Sequence, residues 1–138
     1  MRLVIGAAVV VLAMSAGLLW LFAFPGAPAG MQWPQHTMWG GGPTGRLSGT
    51  LVERDGCFFL RSNPGDLEYL VIWPMFASLS SETEGPVIRI DGESVRPGDA
   101  IVLTGGEYGH GPLPDAAQGA LDVPCDGPYV ITTGLSGR

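Results

Sequence analysis

Apolar and polar positions divide the chain into three stretches. Residues 3–24, from Leu3 to Phe24, form an uncharged apolar run of 22 residues without the polar stripe that an amphipathic helix shows. As a helix this run would be about 33 Å long, enough to cross a hydrocarbon core of about 30 Å. Residues 25–44 are rich in Gly and Pro and end in Gly40-Gly41-Gly42-Pro43, which predicts an extended linker. From residue 45 onward, Gly-, Pro- and Asp-containing turn signals separate short β-rich runs, and helical periodicity is absent. That spacing predicts an all-β domain.

Within residues 45–138 the individual strands follow from alternation and turn chemistry. Residues 46–54 alternate well enough for a first strand, and Asp55-Gly56 is a two-residue hairpin turn that returns the chain as residues 57–61. Asn63-Pro64-Gly65-Asp66 places Pro and Gly where a type II turn needs them. Residues 67–73 then put Leu67, Tyr69, Val71 and Trp73 on one face and Leu70 and Ile72 on the other, the double-apolar pattern of a central strand. Pro74 ends that strand for want of an amide proton. Residues 78–85, small, polar and acidic, read as a loop. Residues 87–90 and 100–104 are further strands, separated by the Asp91-Gly92 reversal and the Arg96-Pro97-Gly98-Asp99 turn. Residues 105–124 form the longest irregular stretch, with one helical turn near 115–121, and residues 129–133 close the sheet. Three meandering strands, a hairpin and a late returning strand predict a small barrel, closed or partly open, of the OB or SH3 kind. A sandwich is the alternative that strand count and turn spacing leave open.

The apolar run also sets the compartment. With Arg2 the nearest charge, it is either a retained single-pass anchor with the C-terminal domain outside the cell or a signal segment cleaved after Ala29, where Ala27-Pro28-Ala29 supplies small residues. Both readings export the domain, so the expected divisions are 1–24 as anchor or signal, 25–44 as linker and 45–138 as an extracytoplasmic β-barrel. In an oxidising compartment the two cysteines, Cys57 and Cys125, are expected to be bridged; two separately buried thiols are the alternative. Residues 45–138 hold all 13 acidic side chains and six of the seven basic ones, a formal charge of −7. Phosphate backbones need clustered cations, and these arginines are scattered among acids, so nucleic acid is excluded as a partner.

Gly49-Thr50-Leu51, Gly56-Cys57, Trp73-Pro74, the turn over residues 95–99 followed by Ile101-Val102-Leu103 and Gly105-Gly106, and Cys125-Asp126-Gly127-Pro128-Tyr129 form an ordered set. Together they resemble a group of small exported proteins of actinomycetes and related Gram-positive bacteria. The resemblance covers residues 45–133. It implies an OB-like β-barrel with a bridged cysteine pair outside the membrane, and it brings no reaction and no catalytic residues.

Searching for chemistry gives little. Gly134-Leu135-Ser136-Gly137 lacks the spacing of a nucleophile elbow. His110, between two glycines, is a loop histidine that could serve as a base only with a nucleophile at hand, so catalysis is not expected. Neither Gly-rich stretch ends as a phosphate loop does. The acidic pairs Glu82/Glu84 and Asp91/Glu93 lack calcium-loop spacing and read as solvated acids. Met31, Trp33, His36, Met38 and Trp39 lie just beyond the apolar run and are expected at the membrane interface rather than around a soft metal. No cofactor or metal is expected. The aromatic residues Trp73, Phe76, Tyr108 and Tyr129, with His110, form the candidate binding surface, although Trp73, at the end of a central strand, reads first as a plug of the core. The expected function is a non-enzymatic module, tethered to the membrane through residues 3–24, that binds an envelope component or protein; small-ligand or glycan binding is the alternative.

Overall fold

In a computed structural model the chain is described over residues 27–38 and 42–137. The apolar run, and with it the anchor-or-signal expectation, lies outside the described residues. No helix among the described residues is long and apolar enough to cross a membrane. Of the described residues 52% are in strands and 7% in helix, so the mostly-β expectation holds.

Five strands close into a ring. β2 (Gly45–Arg54), β3 (Cys57–Ser62) and β4 (Glu68–Pro74) form an antiparallel meander, β8 (Ala100–Gly109) pairs with the other edge of β2, and β9 (Tyr129–Leu135) joins β8 to β4. The β4–β9 pairing, Leu70↔Tyr129 to Ile72↔Ile131, is parallel. β2 is long enough to serve both neighbours: it pairs with β3 over residues 49–54 and with β8 over residues 45–50. Where the two pairings overlap the strand coils tightly, and a Cβ at Gly49 would strike the Arg61 carbonyl. The β2–β3 turn is the predicted one, with Asp55 at φ +54° and Gly56 at φ +80°, the two left-handed residues a tight hairpin needs. The β3–β4 reversal differs from the type II expectation, because the Asn63–Pro64 peptide is cis and Gly65 stands at φ +134°.

β4 is central, as its double-apolar pattern predicts. Its inner side chains, Val71 and Trp73, join Leu51, Phe58, Leu60, Leu103 and Val130 inside the ring. Its outer ones, Leu70 and Ile72, are also buried, under chain segments that wrap the ring from outside. A second sheet, β5 (Ser78–Glu82), β6 (Gly85–Ile90) and β7 (Glu93–Val95), is inserted between β4 and β8. It packs Leu79, Ile88, Ile90 and Val95 against the ring's core.

Three expectations are corrected. Residues 78–82 form a strand rather than a loop, because Ser78 to Glu82 pair with Arg89 to Gly85 in continuous antiparallel register and Leu79 faces the core. The strand expected over 100–104 continues to Gly109: Gly105 and Gly106 pair with Thr132 and Ile131 at a register shift instead of ending it. The stretch read as an extended linker contributes to the folded unit. Within it β1 (Gln35–His36) pairs in parallel with Trp73 and Pro74, and Trp33 stacks on Trp73 with ring centroids 5.2 Å apart. The helical turn expected near 115–121 is present as a 3-10 helix, Asp115–Asp122.

Candidate functional site

The residues expected to form one binding surface are distributed over the molecule. Trp73 is fully buried and belongs to the core, face-stacked with Trp33 and close to Phe58, on which Trp33 sits edge-on at 6.1 Å. It is therefore removed from the candidate surface: alternation along β4 puts Trp73 on the same inward face as Val71, inside the ring. Tyr108 and Tyr129 are half-buried, packed against the layer formed by Leu113, Ala117 and Ala120 around the 3-10 helix. Tyr129 also touches a second outer cluster, the Cys57–Cys125 disulfide with Phe59 and Leu70. His110 is exposed just beyond β8, and Phe76 is exposed just beyond β4. β8 runs antiparallel to β9, and β9 parallel to β4, so the ends of β4 and β8 stand at opposite ends of the ring. Phe76 and the Tyr108–His110 pair do not share a surface.

The disulfide has a clear structural task. It joins the first residue of β3 to the segment after the 3-10 helix, with a Cα–Cα distance of 6.0 Å, and lays Val123 and Tyr129 over Phe59 and Leu70. The outer face of β3 and β4 is thereby covered by the chain itself.

Residues 31–38 also differ from the interface expectation. Met31 and Trp33 pack against the ring's core, and Met38 against the 3-10 helix layer. His36 is buried with both ring nitrogens engaged: the Met38 N–H donates to Nδ1 at 3.2 Å, which leaves Nε2 to donate to the Thr132 carbonyl at 2.6 Å. It has no lone pair free for a metal. Among the described residues no group of three or more His, Cys, Asp or Glu side chains is placed to hold a metal ion. Trp39 lies outside the described residues.

Four arginines are matched to two carboxylates, Glu68 and Glu82. Glu68 accepts from Arg54 and from Arg61, at 2.8 Å for the latter, and the Arg61 hydrogen bond holds its carboxyl below the ordinary value, with Arg54 adding to the effect. Glu82 bridges Arg96 at 2.7 Å and Arg89 at 2.9 Å, and these guanidinium groups lower it in the same way. Glu82, read from the sequence as a solvated loop acid, is exposed and also holds two arginines from its place in β5. Burial raises the Tyr69 phenol above its ordinary value, with the charge of Glu107 adding to the rise. Arg54, Arg61, Arg89 and Arg96 are therefore committed to intramolecular carboxylates, leaving no clustered cations there for a polyanion.

A cleft of about 400 Å³ opens where β7, the start of β8 and the end of β9 meet. Val95, Ile101, Val102 and Leu135 give it an apolar lining, Glu93 and Asp99 contribute carboxylates, and Ala100 and Ser136 complete it. Its walls are pinned by hydrogen bonds. The Asp91 carboxylate accepts from the Leu135 N–H at 2.8 Å, tying the β6–β7 turn to β9. Asp99 accepts from the Arg96 N–H at 2.8 Å within its own turn, and that turn is held to β2 by the Gly98 N–H on the Leu51 carbonyl at 2.7 Å and the Leu51 N–H on the Asp99 carbonyl at 2.9 Å. Ser136 donates its N–H to the Val102 carbonyl at 2.8 Å. A shallower cleft of about 200 Å³, lined by Ser48, Gly49, Thr50 and Asn63, shares Ala100, Ile101 and Val102 with it. Sequence reasoning missed both, since their walls come from strands far apart in the chain. Only the Glu93 and Asp99 carboxylates, set among turn residues, carried any signal. No protein-family model, curated protein or solved structure matches the chain.

Proposed function

We propose that this chain is a non-enzymatic extracytoplasmic module with an OB-like β-barrel, tethered to the membrane through residues 3–24, that binds a protein of the cell envelope. The barrel reading is supported by the strand order β4-β3-β2-β8-β9 with closure of β9 onto β4, the connectivity of a five-stranded Greek-key barrel. Export is supported by the apolar run and by the cystine, which belongs to oxidising compartments.

The observation that carries the binding reading is the cleft between β7, β8 and β9. It is large enough for a side chain or two of a partner, and its pinned walls limit the ordering cost of binding. An apolar floor beside Glu93 and Asp99 suits a partner segment that presents an aliphatic residue next to Lys or Arg. No aromatic ring lines the cleft, which favours a protein over a glycan, because sugars are usually held against aromatic faces. The test places a photo-crosslinking residue at Glu93 in the full-length chain in its native envelope. A protein adduct that disappears when Ala100→Arg fills the cleft supports the reading. A glycan adduct supports the alternative, and absence of any adduct refutes both.

A further inference from the structure

We propose that the turn carrying Met75 and Phe76 inserts into the lipid bilayer beside the chain's own anchor and so fixes how the domain stands on the membrane; this rests on the tethered reading above. Met75 and Phe76 are 46% and 54% exposed, and the third exposed large apolar side chain among the described residues, Leu67, stands at the other end of β4. Two adjacent, half-exposed apolar side chains on one turn form a small apolar patch that burial in lipid would remove from water. The turn holds them there by design rather than by fraying. The Ala77 N–H donates to the Pro74 carbonyl at 3.0 Å, and the Gln35 side-chain amide reaches across to the Pro74 carbonyl at 3.3 Å and the Ala77 carbonyl at 3.1 Å.

The occupant follows from where the described chain begins. β1 lies against the last two residues of β4, Gln35 beside Trp73 and His36 beside Pro74. The Gln32 N–H donates to the Gly56 carbonyl at 2.8 Å, and Gly30 packs so closely on Gly56 that a Cβ there would strike its carbonyl. Residues 30–36 therefore run along the β2–β3 turn and the C-terminal end of β4, the same end of the ring as Met75 and Phe76. Ala27 follows Phe24, the last residue of the apolar run, by three positions, a reach of at most about 11 Å. A domain tethered that closely presents this end to the bilayer, and Met75 and Phe76 meet the glycerol and upper acyl region. The domain's formal charge of −7 directs it to zwitterionic rather than strongly anionic lipid.

The full-length protein in phosphatidylcholine nanodiscs containing a lipid with a diazirine high on its acyl chain tests this by photolabelling and peptide mapping. Adducts are expected both in residues 3–24 and in residues 75–77. The double variant Met75→Ser/Phe76→Ser is expected to lower the 75–77 adducts by about tenfold or more while leaving those in 3–24 unchanged. Adducts confined to 3–24, or 75–77 adducts that persist in the double variant, overturn the insertion proposal and leave the tether standing. Absence of adducts from 3–24 overturns the tether and this proposal with it.

Discussion

Residues 27–38 are expected to be a structural part of the domain, and the Trp33 stack is the place to test it. Trp33 lies nearly parallel to Trp73, at 5.2 Å and 15°, and edge-on to Phe58. Truncation to Ala returns roughly 100 Å² of apolar contact to water, about 2.5 kcal/mol, and removes two aromatic pairs worth about 0.5–1.5 kcal/mol each. A domain beginning at residue 45 loses more. The Thr132 carbonyl is deprived of His36 and the Trp73 N–H of the Pro34 carbonyl, and each buried group left unpaired costs about 1–3 kcal/mol. The sum is on the order of 8 kcal/mol, comparable with the whole stability of a small domain. Equilibrium urea unfolding, followed by circular dichroism, should therefore rank residues 27–138 above Trp33→Ala, and Trp33→Ala above residues 45–138. With an m-value of about 1.5 kcal/mol/M the first step is about 3 M in midpoint. A 45–138 domain that unfolds at the same urea concentration as 27–138 would show that β1 and Trp33 merely rest on the surface, and the reasoning would fail.

Three further outcomes follow from the packing. Cys57→Ser/Cys125→Ser opens a cross-link spanning 68 residues, for which chain entropy gives about 4 kcal/mol. At about 4–8 °C per kcal/mol for a domain of this size, calorimetry should show a large fall in Tm, and an unchanged Tm would contradict the role assigned to the bridge. Glu68 and Glu82 have folded pKa values below the ordinary carboxylate value, through Arg61 and Arg96 respectively. Their ion pairs are at full strength above that ordinary value and are lost as pH falls through the lowered ones, so Glu68→Gln/Glu82→Gln should flatten the acid limb of a stability–pH curve; an identical limb would exclude them as its source. Gly49→Val drives side-chain atoms into the Arg61 carbonyl and should cost about 1–3 kcal/mol or more, whereas Ser48→Val on the exposed neighbour should change the urea midpoint little.

The ring was legible in the chain wherever a strand carries its own signal. Period-two alternation, the Asp55-Gly56 turn and the two-faced apolar pattern of β4 are local, and each led to the strand that is present. The misses are the places where a distant partner decides. Ser78 to Glu82 offers only Leu79 as an apolar residue, and its strand geometry comes from the whole-length pairing with β6. Gly105-Gly106 reads as a break, yet these residues sit where the β8–β9 register shifts and Ile131 and Pro43 approach too closely for a side chain. Trp33 and His36 look like membrane-interface residues until Trp73 and Thr132 are brought to them. The same cause hid the site: residues 93–102 and 135–136 are ordinary in isolation and become one cleft only when β9 closes on β8.

These misses share a physical consequence for function. The two segments that composition assigns to accessory roles, residues 31–38 and residues 110–128, are the ones that cover the ring, the first closing over Trp73 and the second, fixed by the disulfide, over Phe59, Leu70 and Ile72. The outer face of β3 and β4 is thus occupied by the chain's own segments. The open wall is the opposite one, where Ser48 and Ala100 are exposed and Thr50 and Val102 half-exposed on paired β2 and β8. The two clefts both reach it through Ala100, Ile101 and Val102. Cover on the β3–β4 side and clefts that reach β8 make the β2–β8 wall the first place to test the proposed partner.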